Sequence, residues 1–114
     1  MFKNGILQPG IQQPYIFVRS GYQHIKIFLE DILFIEGVRD YRKINCRDDQ
    51  KILTSETFTT LESKLPGNQF CRVHKSFLIS LNKIESVEKD RIKIQNKIIP
   101  VSEMYRVEFY KLIK

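Results

Sequence analysis

Tryptophan is missing from the 114 residues, and cysteine and histidine occur only twice each. Cys46 and Cys71 form no CxxC and have no pair of histidines beside them, so neither redox nor zinc-site spacing is present. Two thiols do not make the disulfide framework of a small secreted domain, and both are expected as buried free cysteines in strands. His24 and His74 are isolated from one another. No carboxylate lies within eight residues of His74, so a general base there lacks an orienting acid nearby in sequence. No GxSxG, P-loop or HExxH motif occurs. The acidic pairs Glu30-Asp31 and Asp48-Asp49 fall at turn signals and read as solvated. The expectation is a protein that is not an enzyme, with no catalytic residue, metal ligand or cofactor. No stretch approaches the roughly 20 apolar residues of a membrane span. Met1 to Ile11 lacks the apolar run of a secretion signal. A soluble cytoplasmic protein with no membrane partner is the default.

What the sequence does contain is positive charge and phenyl rings. The net charge is +6, and eight Phe and five Tyr must supply most of the large core side chains. The length fits one domain able to bury a core without metal or disulfides. A basic balance makes an anionic partner plausible, nucleic acid or a membrane surface, and equally suits a soluble protein that is merely basic.

Residues 1–14, with Gly5, Pro9, Gly10 and Pro14, read as a linker or N-terminal extension, and 15–114 as the domain. From Tyr15 onward the pattern is short and strand-like. Tyr15–Val18, His24–Phe28, Ile32–Ile35, Tyr41–Cys46, Lys51–Thr54, Phe70–Val73, Leu81–Val87, Arg91–Ile94 and Lys97–Ile99 carry β-branched or alternating residues between polar turns. In Tyr41–Cys46, Ile44 and Cys46 point one way while Tyr41, Lys43 and Asn45 point the other. The segment His74–Ser80 is ambiguous. Ser55 is a candidate cap for a helix to Leu65, ended by Pro66-Gly67. Ser102 is a candidate cap for a terminal helix with Tyr105, Phe109, Leu112 and Ile113 on its apolar face. About eight short strands, two short helices and no βαβ spacing make a mainly β, antiparallel fold.

Two basic clusters stand where strands give way to loops. Arg39, Arg42 and Lys43 surround Tyr41; Arg72, His74 and Lys75 precede Ser76. Such residues, with hydroxyls such as Ser76 and Ser102, suit phosphate contacts, and an Arg or Lys that reaches a groove edge reads bases. They equally suit solvated loop tips. Neither helix has the basic face of a recognition helix, so DNA binding here falls to loops or strands. The competing class is a β-rich protein-interaction or ligand-sensing module whose basic loops meet an acidic partner.

The segment Phe70-Cys-Arg-Val-His-Lys-Ser-Phe-Leu-Ile79 resembles the signature of LytTR-type (LytR/AlgR-like) DNA-binding domains of bacterial response regulators. Asp31-Ile-Leu-Phe-Ile-Glu-Gly37 followed by Tyr41, then Ile84–Val87, the Asn96 hairpin and Pro100-Val-Ser102, match that family in order and spacing. The resemblance covers residues 15–114. It implies an elongated stack of small antiparallel sheets (a β-β-β arrangement) with two short helices. It further implies sequence-specific binding of double-stranded DNA by a transcriptional regulator, the output domain of a two-component system. An upstream receiver domain and a homodimer on paired half-sites are partners the family brings with it. By position, the first DNA-binding loop is Gly37–Arg42 with Arg39, Tyr41 and Arg42. The second is the turn at His74, Lys75 and Ser76, with Arg72 before it. The third is Ser102 to Arg106. Many members carry Arg directly after this serine, whereas this chain has Glu103 and Met104, leaving Arg106 as the candidate substitute. Ser80 stands where Asn is common. From the residues, Phe34, Ile35 and Phe77 are expected in the core.

Overall fold

The computed structural model describes residues 13–114, so the linker expected over 1–14 lies almost wholly outside the described residues. Strands β1 (Tyr15–Ser20) and β2 (Gln23–Phe28) form a hairpin closed by Gly21-Tyr22, with Gly21 at φ +61°. A left-handed residue is what a tight hairpin turn requires there. Strands β3 (Ile32–Val38), β4 (Tyr41–Cys46), β5 (Lys51–Thr54), β6 (Phe70–His74) and β7 (Phe77–Ser80) make a five-stranded antiparallel sheet in the order β5-β4-β3-β7-β6. Strands β8 (Ser86–Glu88), β9 (Arg91–Ile94) and β10 (Lys97–Pro100) form a three-stranded antiparallel meander. Helix α1 (Phe58–Lys64) links β5 to β6, and α2 (Glu103–Ile113) follows β10. The described residues extend 47 × 37 × 25 Å.

The central sheet is covered on both faces, which explains the continuous apolar run Ile32–Ile35. Ile32, Ile35, Ile44 and Leu78 join Ile16, Val18 and Ile27 of the hairpin and Phe58, Leu61 and Leu65 around α1 in one core. Leu33, Phe34, Val73 and Ile79 join Ile92, Ile94 and Ile99 of the meander and Phe109 of α2 in a second. A register shift between Ile32 and Phe34 accompanies the successive residues Leu33 and Phe34 on the second side. Cys46 belongs to the first core and Cys71 to the second, so the free thiols lie on opposite sides of the sheet. Burial pushes each thiol up to about 11, which keeps them protonated and unreactive near neutral pH.

Several expectations shift in detail. Ten strands are present among the described residues. Leu81–Val87 is not one strand: Leu81–Lys83 makes a 3-10 turn before β8. The ambiguous His74–Ser80 resolves into a turn and β7. Helix α1 is capped by Thr57, whose hydroxyl accepts from the Thr60 amide at 3.1 Å, because Thr54 Oγ1 takes the Glu56 amide and draws Ser55-Glu56 into the preceding loop. Asn45 is buried rather than solvent-facing, since the meander covers that face. On α2 Phe109 is fully buried and Tyr105 half-buried, whereas Leu112 and Ile113 remain exposed. Phe34 and Ile35 are buried as expected; Phe77, at the sheet margin beside His74, is only half-buried.

Truncation should follow that difference. Phe109→Ala is expected to cost about 3–5 kcal/mol and Phe77→Ala roughly half as much. Urea unfolding of both variants checks this, and equal losses would contradict the half-exposed position of Phe77.

Candidate nucleic-acid interface

The β3–β4 hairpin turns through Arg39-Asp40, with Arg39 at φ 57° and Val38 paired to Tyr41. Arg39 sits exposed at the tip, and the Tyr41 ring, 51% exposed, faces outward at the start of β4. Just inside the tip, the Gly37 amide donates to the Ser76 carbonyl at 2.8 Å. A Cβ on Gly37 would stand 3.2 Å from Phe58 Cε2 and 3.7 Å from Ser76 Cα, so the approach of hairpin, helix and turn favours the missing side chain.

The β6–β7 turn presents Lys75 and Ser76. His74 Nδ1 accepts from the Ser76 amide at 3.0 Å, which leaves Nε2 as the ring's donor. Lys75 is exposed. Neither Arg39 nor Lys75 forms an ion pair among the described residues.

Arg72 and Arg42 behave differently: both are turned inward onto Phe58. The Arg72 guanidinium lies 4.0 Å from the Phe58 ring centre and 5.5 Å from that of Tyr105. It donates to the carbonyls of His74 (2.8 Å) and Lys75, and pairs with Glu62 at 3.7 Å. The Arg42 guanidinium is 5.4 Å from the same ring and donates through Nε to the Glu56 carbonyl at 3.1 Å. Glu56 in turn takes Lys64 at 2.7 Å and the Arg19 amide at 2.7 Å. Burial pushes the Glu56 carboxyl up, but the hydrogen bonds from Lys64 and Arg19 and the nearby positive charges outweigh it, and the net shift is downward.

The third segment is tied to the second. The Ser102 amide donates to the Val73 carbonyl at 2.9 Å, and the Val101 amide to the Asp90 carbonyl at 2.8 Å. Ser102 occupies the N-cap position of α2 with its hydroxyl making no cap hydrogen bond. Arg106 lies within the helix, its Nε donating to Asp90 at 3.0 Å, and the Tyr110 hydroxyl also donates to Asp90 at 2.8 Å.

The fold therefore draws the three segments to one end of the molecule. Arg39, Tyr41 and Lys75 project to solvent; His74, Ser76 and Ser102 are half-buried between them; Arg42 and Arg72 are turned inward, and Arg106 is exposed while bonded to Asp90. Sequence reasoning missed that Phe58, expected only on a helix's apolar face, organises the loops. Its signal was the pair of arginines, Arg42 and Arg72, at strand ends on either side of it in sequence. No cluster of three or more potential metal ligands occurs among the described residues, and no helix there is long and apolar enough to cross a membrane.

The family model of the LytTr DNA-binding domain matches residues 22–114. The chain belongs to the LytTR DNA-binding domain family. It is 29% identical over 96 residues to the sensory transduction protein LytT of Bacillus anthracis, a match covering 79% of this chain and 39% of the relative. The LytT of Bacillus subtilis is 34% identical over 71 residues, covering 57% of this chain and 30% of the relative. The chain thus spans well under half the length of the curated relatives it matches. A solved LytTr DNA-binding domain from Bacillus cereus superposes with a TM-score of 0.76 at 20% identity, over 90% of this chain and 98% of that one. The stacked antiparallel sheets are the LytTR fold, and the end carrying Arg39, Tyr41 and Lys75 is where its motif residues gather.

Arg72→Ala should destabilise the LytTR domain by about 2–3 kcal/mol, since it strips charged hydrogen bonds from two turn carbonyls and a cation from the Phe58 face. Lys75→Ala should stay within about 0.5 kcal/mol of the parent. Chemical denaturation measures both; similar stability for the two variants would mean that Arg72 does not organise the turn.

Proposed function

We propose that the chain is the sequence-specific, double-stranded DNA-binding output domain of a transcriptional regulator in a two-component system. The observation that carries this is the cluster of outward side chains of Arg39, Tyr41 and Lys75, without ion-pair partners among the described residues, on loops bonded to one another through Gly37 and Ser76. A phenol at Tyr41 can bond a base edge or touch a thymine methyl, and Lys75 can reach guanine O6 and N7 or a phosphate. Arg39 at the hairpin tip, His74 Nε2 and the hydroxyls of Ser76 and Ser102 supply phosphate donors. Arg42 and Arg72 act by holding the loops, because their guanidinium groups are already used inside the molecule. Arg106 bonds Asp90 through Nε alone and stays exposed, so its other guanidinium donors remain for a phosphate and it joins Ser102 and the start of α2 in the third contact.

In this reading residues 1–14 join the domain to an upstream receiver, as the greater length of the LytT relatives suggests. Two copies occupy paired half-sites in the cytoplasm, and the domain itself catalyses nothing and needs no metal or cofactor. The deciding experiment first selects a preferred duplex from a random library and then measures variants on single-base changes of it. Tyr41→Ala should lose about 1–3 kcal/mol on the best site and relax preference at one position. Lys75→Ala should mix such a loss with a general weakening. If Tyr41→Ala folds normally yet keeps both affinity and preference, the first loop does not read bases.

A further inference from the structure

We infer that the tip of the β1–β2 hairpin makes a fourth contact with the same duplex, gripping its sugar-phosphate backbone through Arg19, Tyr22 and His24 beyond the bases read by the central loops. This rests on the DNA-binding reading and extends it to a layer of the fold outside the motif-bearing loops. Arg19 pairs with His24 across the hairpin, and both side chains are exposed beside the turn. Tyr22 caps that turn with its side chain fully in solvent, 103% exposed, where the left-handed requirement is met by Gly21. Among the described residues the Arg19 guanidinium has no carboxylate partner, and the acidic group bonded to its backbone, Glu56, pairs with Lys64 instead. One cation, one imidazole and one phenol, all exposed on the hairpin tip, match the donors that phosphate oxygens take.

The tip is also fixed in place relative to the reading loops. The Arg19 amide donates to Glu56 Oε2 at 2.7 Å; Lys64 spans from Glu56 to the Phe17 carbonyl, 2.9 Å away; and the Glu56 carbonyl accepts from Arg42, which pairs across the sheet with Gly37. This chain of bonds anchors the hairpin at the end of the sheet from which Arg39 and Tyr41 project. Stacked sheets lie about 10 Å apart. A contact from the outer layer therefore lengthens the footprint by roughly three base pairs at 3.4 Å each. Because the contact is to phosphate, it adds affinity without adding base preference.

The test uses the whole chain on three duplexes: the selected site with long flanks, and the same site trimmed by about three base pairs on each side in turn. Arg19→Gln, Tyr22→Ala and the double variant remove side chains only, leaving the Arg19 amide bond to Glu56; a thermal melt verifies that each folds. On the long duplex the double variant should bind roughly five- to tenfold more weakly, with unchanged ranking of single-base site variants and a salt slope shallower by about one. On the duplex trimmed at the hairpin side, parent and double variant should bind alike. Equal binding of parent and double variant to the long duplex overturns the fourth contact while leaving the loop reading intact. Loss of ranking among site variants would make the hairpin a base reader and overturn its assignment to the backbone. A parent that ranks no duplex above another overturns both readings.

Discussion

The Phe58 ring sits where three separate pieces of chain converge, with the Arg72 guanidinium 4.0 Å from its centre and Gly37 close enough that a side chain there would meet the ring. Neither contact is strong alone, but each fixes something the others need. Arg72 holds the His74 and Lys75 carbonyls and so shapes the β6–β7 turn; the turn then offers the Ser76 carbonyl to Gly37, and the strand before it offers the Val73 carbonyl to Ser102. Three loops distant in sequence are bonded into one surface. A site on loops recognises a duplex only if its elements keep their spacing, and here that spacing is set by backbone hydrogen bonds rather than by the projecting side chains.

This arrangement divides the basic residues by task. Arginine suits the inward positions because a planar guanidinium can stack on an aromatic face while donating in several directions. Arg42 and Arg72 use that geometry. Lys75 and Arg39 instead stand exposed at the turns. Asp90 makes a similar internal anchor on the far side, holding Arg106 and Tyr110 of α2 and, through its carbonyl, Val101. The net positive charge therefore overstates the number of cations free to meet DNA.

Much of the fold was legible because its cues are local. Alternation marked β2 and β4, β-branched and aromatic residues marked β1, and the left-handed pair Asp48-Asp49 sits where turn residues were expected. The run at Ile32–Ile35 identified a doubly covered strand. Less legible were features decided by neighbours far away in sequence. Asn45 looked solvent-facing until the meander covered it, and Leu112 and Ile113 looked buried although α2 meets the second core mainly through Phe109. The family resemblance named the loop segments, but composition could not separate an arginine that faces solvent from one that faces Phe58. Tyr22 escaped notice because a lone aromatic beside a glycine carries no periodic signal.

The loop cluster holds together only if the bond between Gly37 and Ser76 belongs to the folded framework rather than being a passing loop contact. Native-state hydrogen exchange measures this directly. The Gly37 and Ser102 amides should exchange as slowly as those of the central strands, opening only with global unfolding, while the Arg39 and Lys75 amides at the tips exchange quickly. Exchange of Gly37 at the rate of the tip amides would contradict a pre-assembled reading surface.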